Sequence, residues 1–540
     1  MTKLNQLAIY GFMLSLIAML YSCESPLKDF DLQISSEVIK HNITLKVADS
    51  EGKNIPGVSI SLASGDIQDI YNMEGRKIFK LIDNLITLGL NPNRIPNSEN
   101  PVRFRVNISA NGYVTQTVPV AISDVSSGLQ TIVLGKTKVI PEGVKEIVDN
   151  LGLEKDGSIS KQTTISVPAF EGSKNMTMTI PRGTQFLDEQ GRIILGNSLQ
   201  VTVTNIDGNK KEAQVLLPGG SLRSDEVILE GGRKASGTFS PIGLVEVKML
   251  INATEVKQFS KPLIFSMPVS SNYISPITGQ SITAGKSFEI FSHNNGESWQ
   301  YEQHSNITGS ATSGYSISFP ISHLSYFLAG EFGEACTSAR VIDFSGEWMK
   351  NGTTYPIQVD VIWGGNVIFS NQYSINQDNK SISIIDVPAN GVTFIVKNSS
   401  EKFLAQGTLA PCGQRTDMIL PNPAEVTETT STLQLYVRCP DKTSTITLLP
   451  TFHMFYRVSG TTTYKFLGAV SNGFLRTTLL KTDGTKYDFK AIWKDRVKIV
   501  NGKTVKKDNS ATVGLLPGNL IGTMDGATNL AILKEECDKL

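Results

Sequence analysis

Cys23 is the side chain whose position most narrowly specifies a chemistry. A positive start at Lys3 is followed by an apolar run from Leu7 to Leu20, and then by Leu20-Tyr21-Ser22-Cys23. An apolar residue three positions before a cysteine, with a small residue just before it, is the order a bacterial lipoprotein signal requires. The thiol takes the lipid and the preceding peptide is removed. The run is short for a membrane-spanning helix. The competing reading is an ordinary cleaved signal in which Cys23 is incidental. On the lipoprotein reading, residues 1–22 are signal peptide and Cys23 opens the mature chain. Each buried methylene of its lipid then adds about 0.8 kcal/mol of membrane affinity, so multiple acylation anchors the chain stably.

The remaining cysteines are Cys336, Cys412, Cys439 and Cys537. An even number behind an export signal favours disulfides over free thiols. No two lie close enough for a Cys-x-x-Cys redox or metal site. Their order suggests Cys336–Cys412 and Cys439–Cys537, one bridge in each of two C-terminal domains, each closing a long loop worth about 4 kcal/mol. The sequence leaves the other pairings open.

Other chemistry is sparse. The chain has 540 residues, enough for several domains, with 40% hydrophobic and 19% charged residues, a composition that supports packed cores. Lys+Arg and Asp+Glu are each 50, so there is no basic field for nucleic acid. Gly-x-Ser-x-Gly, His-Glu-x-x-His, phosphate-loop and dinucleotide signatures are all missing from the sequence, and no metal or cofactor site is expected. Only five histidines are present, and those at 41, 293, 304 and 453 stand without companions. Trp348, Trp363 and Trp493 have the chemistry to stack on sugars, although a tryptophan in a β-sandwich more often fills the core.

The elements that would position these residues are strands. Ile43-Thr44-Leu45-Lys46-Val47, Val58-Ser59-Ile60-Ser61-Leu62 and Val102-Arg103-Phe104-Arg105-Val106 alternate with period two, and Asn111-Gly112 marks a hairpin turn. Residues 65–98 are ambiguous between helix and strand, and the flanks favour strand. The pattern over 37–139 resembles carboxypeptidase-regulatory-like or prealbumin-like β-sandwiches, which implies a small all-β module without catalytic residues. Pro141 to Leu153 carries Val144, Ile147 and Val148 at helical spacing and predicts a short linker helix within 140–158. Glu24 to Ser36 is polar and interrupted by Pro26, and predicts a tether over 23–36. Its acidic and lysine residues look like the surface-export signals of Bacteroidota lipoproteins.

Residues 159–332 contain Met176-Thr177-Met178-Thr179-Ile180, Leu199-Gln200-Val201-Thr202-Val203, Leu217-Pro218-Gly219-Gly220 and a terminal Phe319 to Phe327 segment. This order resembles the β-sandwich of ankyrins, netrin receptors and a self-cleaving death-domain protein, and the GAIN domain of adhesion receptors. Some of those relatives cut their own backbone at a His-apolar-Ser or His-Leu-Thr site. The resemblance would make His323 the base, Ser325 the nucleophile and Leu324–Ser325 the bond cut. The bland alternative is an uncut final strand, with His323 and Ser325 on one face and Leu324 in the core.

Alternating runs at Ile357–Val361, Ile382–Ile384 and Phe394–Val396, with turns at Asn351-Gly352 and Asn390-Gly391, predict a further sandwich over 333–421. Pro421-Asn422-Pro423 is a stiff boundary, and 422–540 reads as a last sandwich with a lysine-rich hairpin edge near 494–507. The expected fold is therefore all-β: tandem antiparallel β-sandwiches behind a lipoprotein signal peptide, with one linker helix. The expected role is non-catalytic adhesion, scaffolding or binding at a bacterial outer membrane. The chain would be held by lipid on Cys23 and would meet a surface protein or polysaccharide partner. Self-cleavage and accessory glycan binding are the alternatives.

Overall fold

The computed structural model describes residues 39–435 apart from 98–99, 124–127, 138, 169, 171–173, 294–297, 351, 378, 424–426 and 428. It also describes 437–439, 446–510 without 495, the strands Leu32–Ser35 and Asn519–Leu520, and residue 538. Contacts divide the chain into two compact units. The larger comprises Ile39–Lys350 and Pro356–Pro423. The architecture is all-β, and one four-residue α-helix, Lys211–Gln214, occurs among the described residues.

The larger unit begins with a sandwich. Asn42–Asp49 pairs antiparallel with Leu85–Leu90 and parallel with Leu129–Leu134. Facing them, Val102–Ser109 lies between Ser59–Gly65 and Gln116–Ile122. Inward residues of both layers share one core, including Leu45, Val47, Leu88, Phe104, Val106 and Val120. Burial alternates along Val102–Ser109, as a strand with one wet face requires. Of the ambiguous stretch 65–98, Gly65 ends the strand Ser59–Gly65, Ile70–Asn72 and Leu85–Leu90 are strands, and the other described residues are a 3-10 turn and loops.

The central sandwich is a single folded-over sheet. Trp299–Ser310 pairs with Ser287–His293 at its start and with Gly314–His323 at its end, so one strand serves both layers. Phe265, Phe288, Phe319 and Phe327 fill the space between them. The helix expected over 141–153 is instead the strand Val144–Gly152, which pairs antiparallel along its whole length with Ser198–Ile206. The apolar spacing of Val144, Ile147 and Val148 suits either element. β-branched residues weaken the helix, and a partner distant in sequence settles the choice.

The third sandwich places Tyr355–Trp363, Asn366–Ile375, Thr393–Asn398 and Phe403–Thr408 over the layer of Arg340–Ser345, Ser381–Ile384 and Arg415–Ile419. Its sheet continues into the first sandwich, because Asn366–Ile375 pairs with Leu129–Leu134 through Asn371↔Gln130 and Gln372↔Leu129. The result is one eight-stranded sheet spanning two sandwiches, with the edge of each covered by the other.

The smaller unit has its own core, including Leu433, Met454, Leu467, Leu475, Tyr487 and Phe489. Phe452–Val458 and Lys486–Trp493 form the middle of a four-stranded sheet whose edge is the lysine-rich Arg496–Thr504. Part of the expected tether is also a strand: Leu32–Ser35 pairs parallel with Ile446–Leu449. Four residues alternating beside Pro26 and several charges are too short a pattern to be read as a strand from sequence.

Candidate functional site

The sequence points first to His323-Leu324-Ser325. The tripeptide is the turn between two strands, Gly314–His323 in one layer and Tyr326–Glu334 in the other, and not a continuous final strand. Leu324 packs against the central core and its N–H donates to the Lys257 carbonyl at 3.0 Å. None of the three residues has a positive φ. The turn borders an open cleft of about 810 Å³ that is also lined by Glu246, Glu255, Lys257, Glu302 and Tyr326.

His323 and Ser325 are brought to this cleft but are engaged separately. His323 Nε2 lies 3.2 Å from Glu302 Oε1, and the Ser292 hydroxyl donates to the same oxygen at 2.5 Å. The Glu302 contact raises the His323 pKa above the usual imidazole value, outweighing burial. Burial pushes Glu302 up, but hydrogen bonds from His323 and Ser292 outweigh it and leave the carboxyl below its ordinary value. The contact therefore favours the protonated imidazole, and a protonated imidazole is no base. Ser325 Oγ accepts the His293 backbone N–H at 2.9 Å. Its lone pair is thus turned to an amide, and His323 makes no hydrogen bond to it. Tyr326, beside them, is driven further from ionisation by burial.

Cys336 and Cys412 form a disulfide. Cys439's side chain and Cys537 lie outside the described residues, as does Cys23. The Cys336 N–H donates to the Val387 carbonyl at 2.9 Å, and Arg340, 1% exposed, donates through Nη2 to the Ala389 carbonyl. Trp363 Nε1 donates to the Asn390 carbonyl at 3.0 Å. Gly391 follows at φ +68°, where a Cβ would stand 2.6 Å from the Pro276 carbonyl oxygen, so only glycine fits. These contacts clamp the loop at 386–391. They hold Asp386 in the left-handed region at φ +56°, a conformation that aspartate tolerates better than most residues.

Asp386 belongs to a charge cluster that the sequence does not announce. Arg103 of the first sandwich donates to it from Nη2 at 2.8 Å and from Nε at 3.2 Å. Arg105, two residues along the same strand face, grips Asp225 of the central sandwich through Nε at 2.6 Å and Nη2 at 2.5 Å. Arg223 of the central sandwich lies 4.0 Å from Asp386. Three sandwiches thus meet at three guanidiniums and two carboxylates. Arg103 and Arg105 read from sequence as the polar face of a strand, and that signal was present. Their partners, 120 and 283 residues away, were not readable.

The tryptophans form no exposed platform. Trp299, Trp363 and Trp493 are buried, and Trp348 is half-buried with its Nε1 donating to the Leu420 carbonyl at 2.8 Å.

Fold and site together define an all-β, multi-sandwich protein in which two-pronged Arg–Asp pairs join sandwiches. No protein-family model matches the chain, and no curated protein matches it either. Among solved structures it is similar to the Bacillus anthracis TIE protein, at 10% identity and a TM-score of 0.13, over 70% of this chain and 59% of that one. It is similar to BcpA, the major pilin subunit of Bacillus cereus, at 9% identity and a TM-score of 0.14, over 87% and 97%. It is also similar to the RrgB pilus protein from Streptococcus pneumoniae, at 8% identity and a TM-score of 0.12, over 80% and 74%. The chain spans less than two thirds of the length of the TIE protein. At these TM-scores no functional statement rests on the likenesses.

Proposed function

We propose that the chain is a non-catalytic, lipid-anchored scaffold or binding protein displayed at a bacterial outer membrane. Its domains on this reading are those expected from sequence, over 37–139, 159–332, 333–421 and 422–540. The observation that carries the reading is the joining of three sandwiches into one unit. A shared sheet at Asn371↔Gln130 and bidentate Arg–Asp pairs between sandwiches resist hinge motion, which suits a stiff display element. The His323–Glu302 contact, which favours the protonated imidazole, and the amide-bound Ser325 favour this reading over self-cleavage. The absence of an exposed tryptophan face favours it over glycan stacking.

The test is made in cells. Metabolic labelling with a palmitate analogue marks the wild type and not Cys23→Ala, and protease applied to intact cells removes the wild-type protein. An unlabelled wild type, or one fully protected from protease, overturns the reading. A denaturing gel of purified protein shows a single band. Two bands meeting at Leu324–Ser325 and lost in Ser325→Ala would establish self-cleavage instead.

A further inference from the structure

The charge cluster at the junction does not close on itself. Asp386 is occupied by Arg103 and Asp225 by Arg105, each in a two-pronged contact. Arg223 is left over. Its side chain is 15% exposed, its guanidinium stands 5.5 Å from the Phe369 ring centre, and its nearest carboxylate oxygen is 4.0 Å away. It donates no side-chain hydrogen bond among the described residues. A guanidinium carries five N–H donors, and none of those on Arg223 meets a protein acceptor among the described residues. The charged groups acting on it are Asp386, Asp225 and Arg103, and burial outweighs the two aspartates in lowering its pKa.

Arg223 borders a cavity of about 70 Å³ between the three sandwiches. The same cavity is lined by Asn371, at the seam where the two sheets join. Its Oδ1 is buried and accepts no hydrogen bond. Donors without an acceptor and an acceptor without a donor therefore line one space. Water occupies roughly 30 Å³ per molecule in the liquid, so the space holds about two waters or one small polyatomic ion. An ion that satisfies both sides carries negative charge for Arg223 and a hydroxyl for Asn371.

We propose that Arg223 and Asn371 form a binding site for a small oxyanion bearing a hydroxyl group, of the hydrogen phosphate or bicarbonate type. The anion neutralises the third guanidinium and donates to Asn371 Oδ1. Because the lining of the cavity comes from all three sandwiches, occupancy stabilises their junction by an amount that grows with the logarithm of ligand concentration above Kd. Sulfate, which has no hydroxyl at neutral pH, leaves Asn371 unpaired and binds less well.

The test uses the full mature chain, first exchanged into chloride buffer. Isothermal titration with phosphate, and separately with bicarbonate, tells which source of this chemistry is preferred, and thermal unfolding follows each. The expected result is saturable binding of at least one of them and a rise in the unfolding temperature not reproduced by chloride at equal ionic strength. Sulfate is expected to bind at least about tenfold more weakly, and Arg223→Gln to weaken binding at least about tenfold. Asn371→Asp places a carboxylate in the cavity that Arg223 lines, at nearly unchanged volume, and abolishes binding. That variant keeps the proposal testable if Arg223→Gln does not fold. No saturable binding of either ion, or binding unaffected in Asn371→Asp, overturns the site. Sulfate binding as tightly as phosphate overturns the role given to Asn371.

Discussion

Two groups of charged residues on the central sandwich follow opposite rules. In the cleft beside His323, two pairs are close in sequence and held by lysines open to water: Glu246 with Lys248, and Glu255 with Lys257, each two residues apart. At the junction, Asp225 and Arg223 meet partners from other sandwiches; Arg223 and Asp386 are mostly buried, and Asp225 is about a third exposed. An exposed pair gains little over its hydrated partners, so the cleft pairs set local charge and little else. A mostly buried charge that loses its partner faces a large desolvation cost, so the junction pairs weigh more on how firmly the sandwiches stay joined. Sequence proximity is thus a poor guide to which ion pair matters, because strength depends on what else surrounds the pair.

The largest effect that would test this contrast is loss of the bridge behind the junction. Replacing Cys336 and Cys412 together by serine opens a loop spanning 76 residues. The expected cost in chemical denaturation is about 4 kcal/mol. If the clamp on the loop at 386–391 depends on the bridge, amide exchange at Val387 and Ala389 also rises. Unchanged exchange would separate the clamp from the disulfide.

Next, Asp386→Ala is expected to destabilise the larger unit by about 3 kcal/mol, since it leaves Arg223 buried without its nearest carboxylate. Glu255→Ala in the cleft is expected to change stability by about 0.5 kcal/mol or less. Equal losses in the two variants would break the comparison.

The smaller unit sharpens it with a buried group that is neutral. His453 is fully enclosed, and burial lowers its pKa to about 4. An unfolded histidine titrates near 6.5, so the unfolded state takes up a proton that the folded state refuses between those values. Stability is full above pH 6.5, falls as pH drops from 6.5 to about 4, and changes no further below that. The integrated loss is about 3 kcal/mol. Acid unfolding of wild type and His453→Phe, followed from pH 7.5 to 3.5, checks this: the variant is expected to lose most of that slope.

The smallest effect concerns His323, whose pKa is shifted the other way. A raised folded pKa contributes stability that is complete below the unfolded value near 6.5 and is lost as pH rises through the folded value. Glu302→Gln removes the cause. The imidazole resonances are expected to titrate at lower pH in the variant, with a stability change of about 1 kcal/mol or less because the pair is partly hydrated. An unmoved titration would show that Glu302 does not hold the proton on His323.

Much of the fold is legible in the residues. The alternation in Val102–Ser109 predicts the strand that forms, and Asn111-Gly112 predicts a turn that closes with Gly112 at φ +82°. The pairing of Cys336 with Cys412, one of those the order of the cysteines allows and the one it suggests, is present. Val144–Gly152 shows where such reading stops. Its apolar spacing fits a helix, and nothing within it reports that Ser198–Ile206 is waiting to pair. The tripeptide at 323–325 is a similar case. Its residue types suggest a reaction, but reactivity depends on whether His323 faces Ser325, and Glu302 and the His293 amide have taken the two side chains instead.

Period-two patterning, turn residues and half-cystine order act over a few residues or through one covalent bond, so they are written locally and can be read locally. They dictated an all-β chain of stacked sheets with at least one bridge. The fate of each charge was left to folding: Arg103, Arg105 and Arg223 are ordinary strand residues until three sandwiches converge on them. Burial and Coulomb energy depend on every neighbour at once, and those neighbours come from segments more than a hundred residues apart.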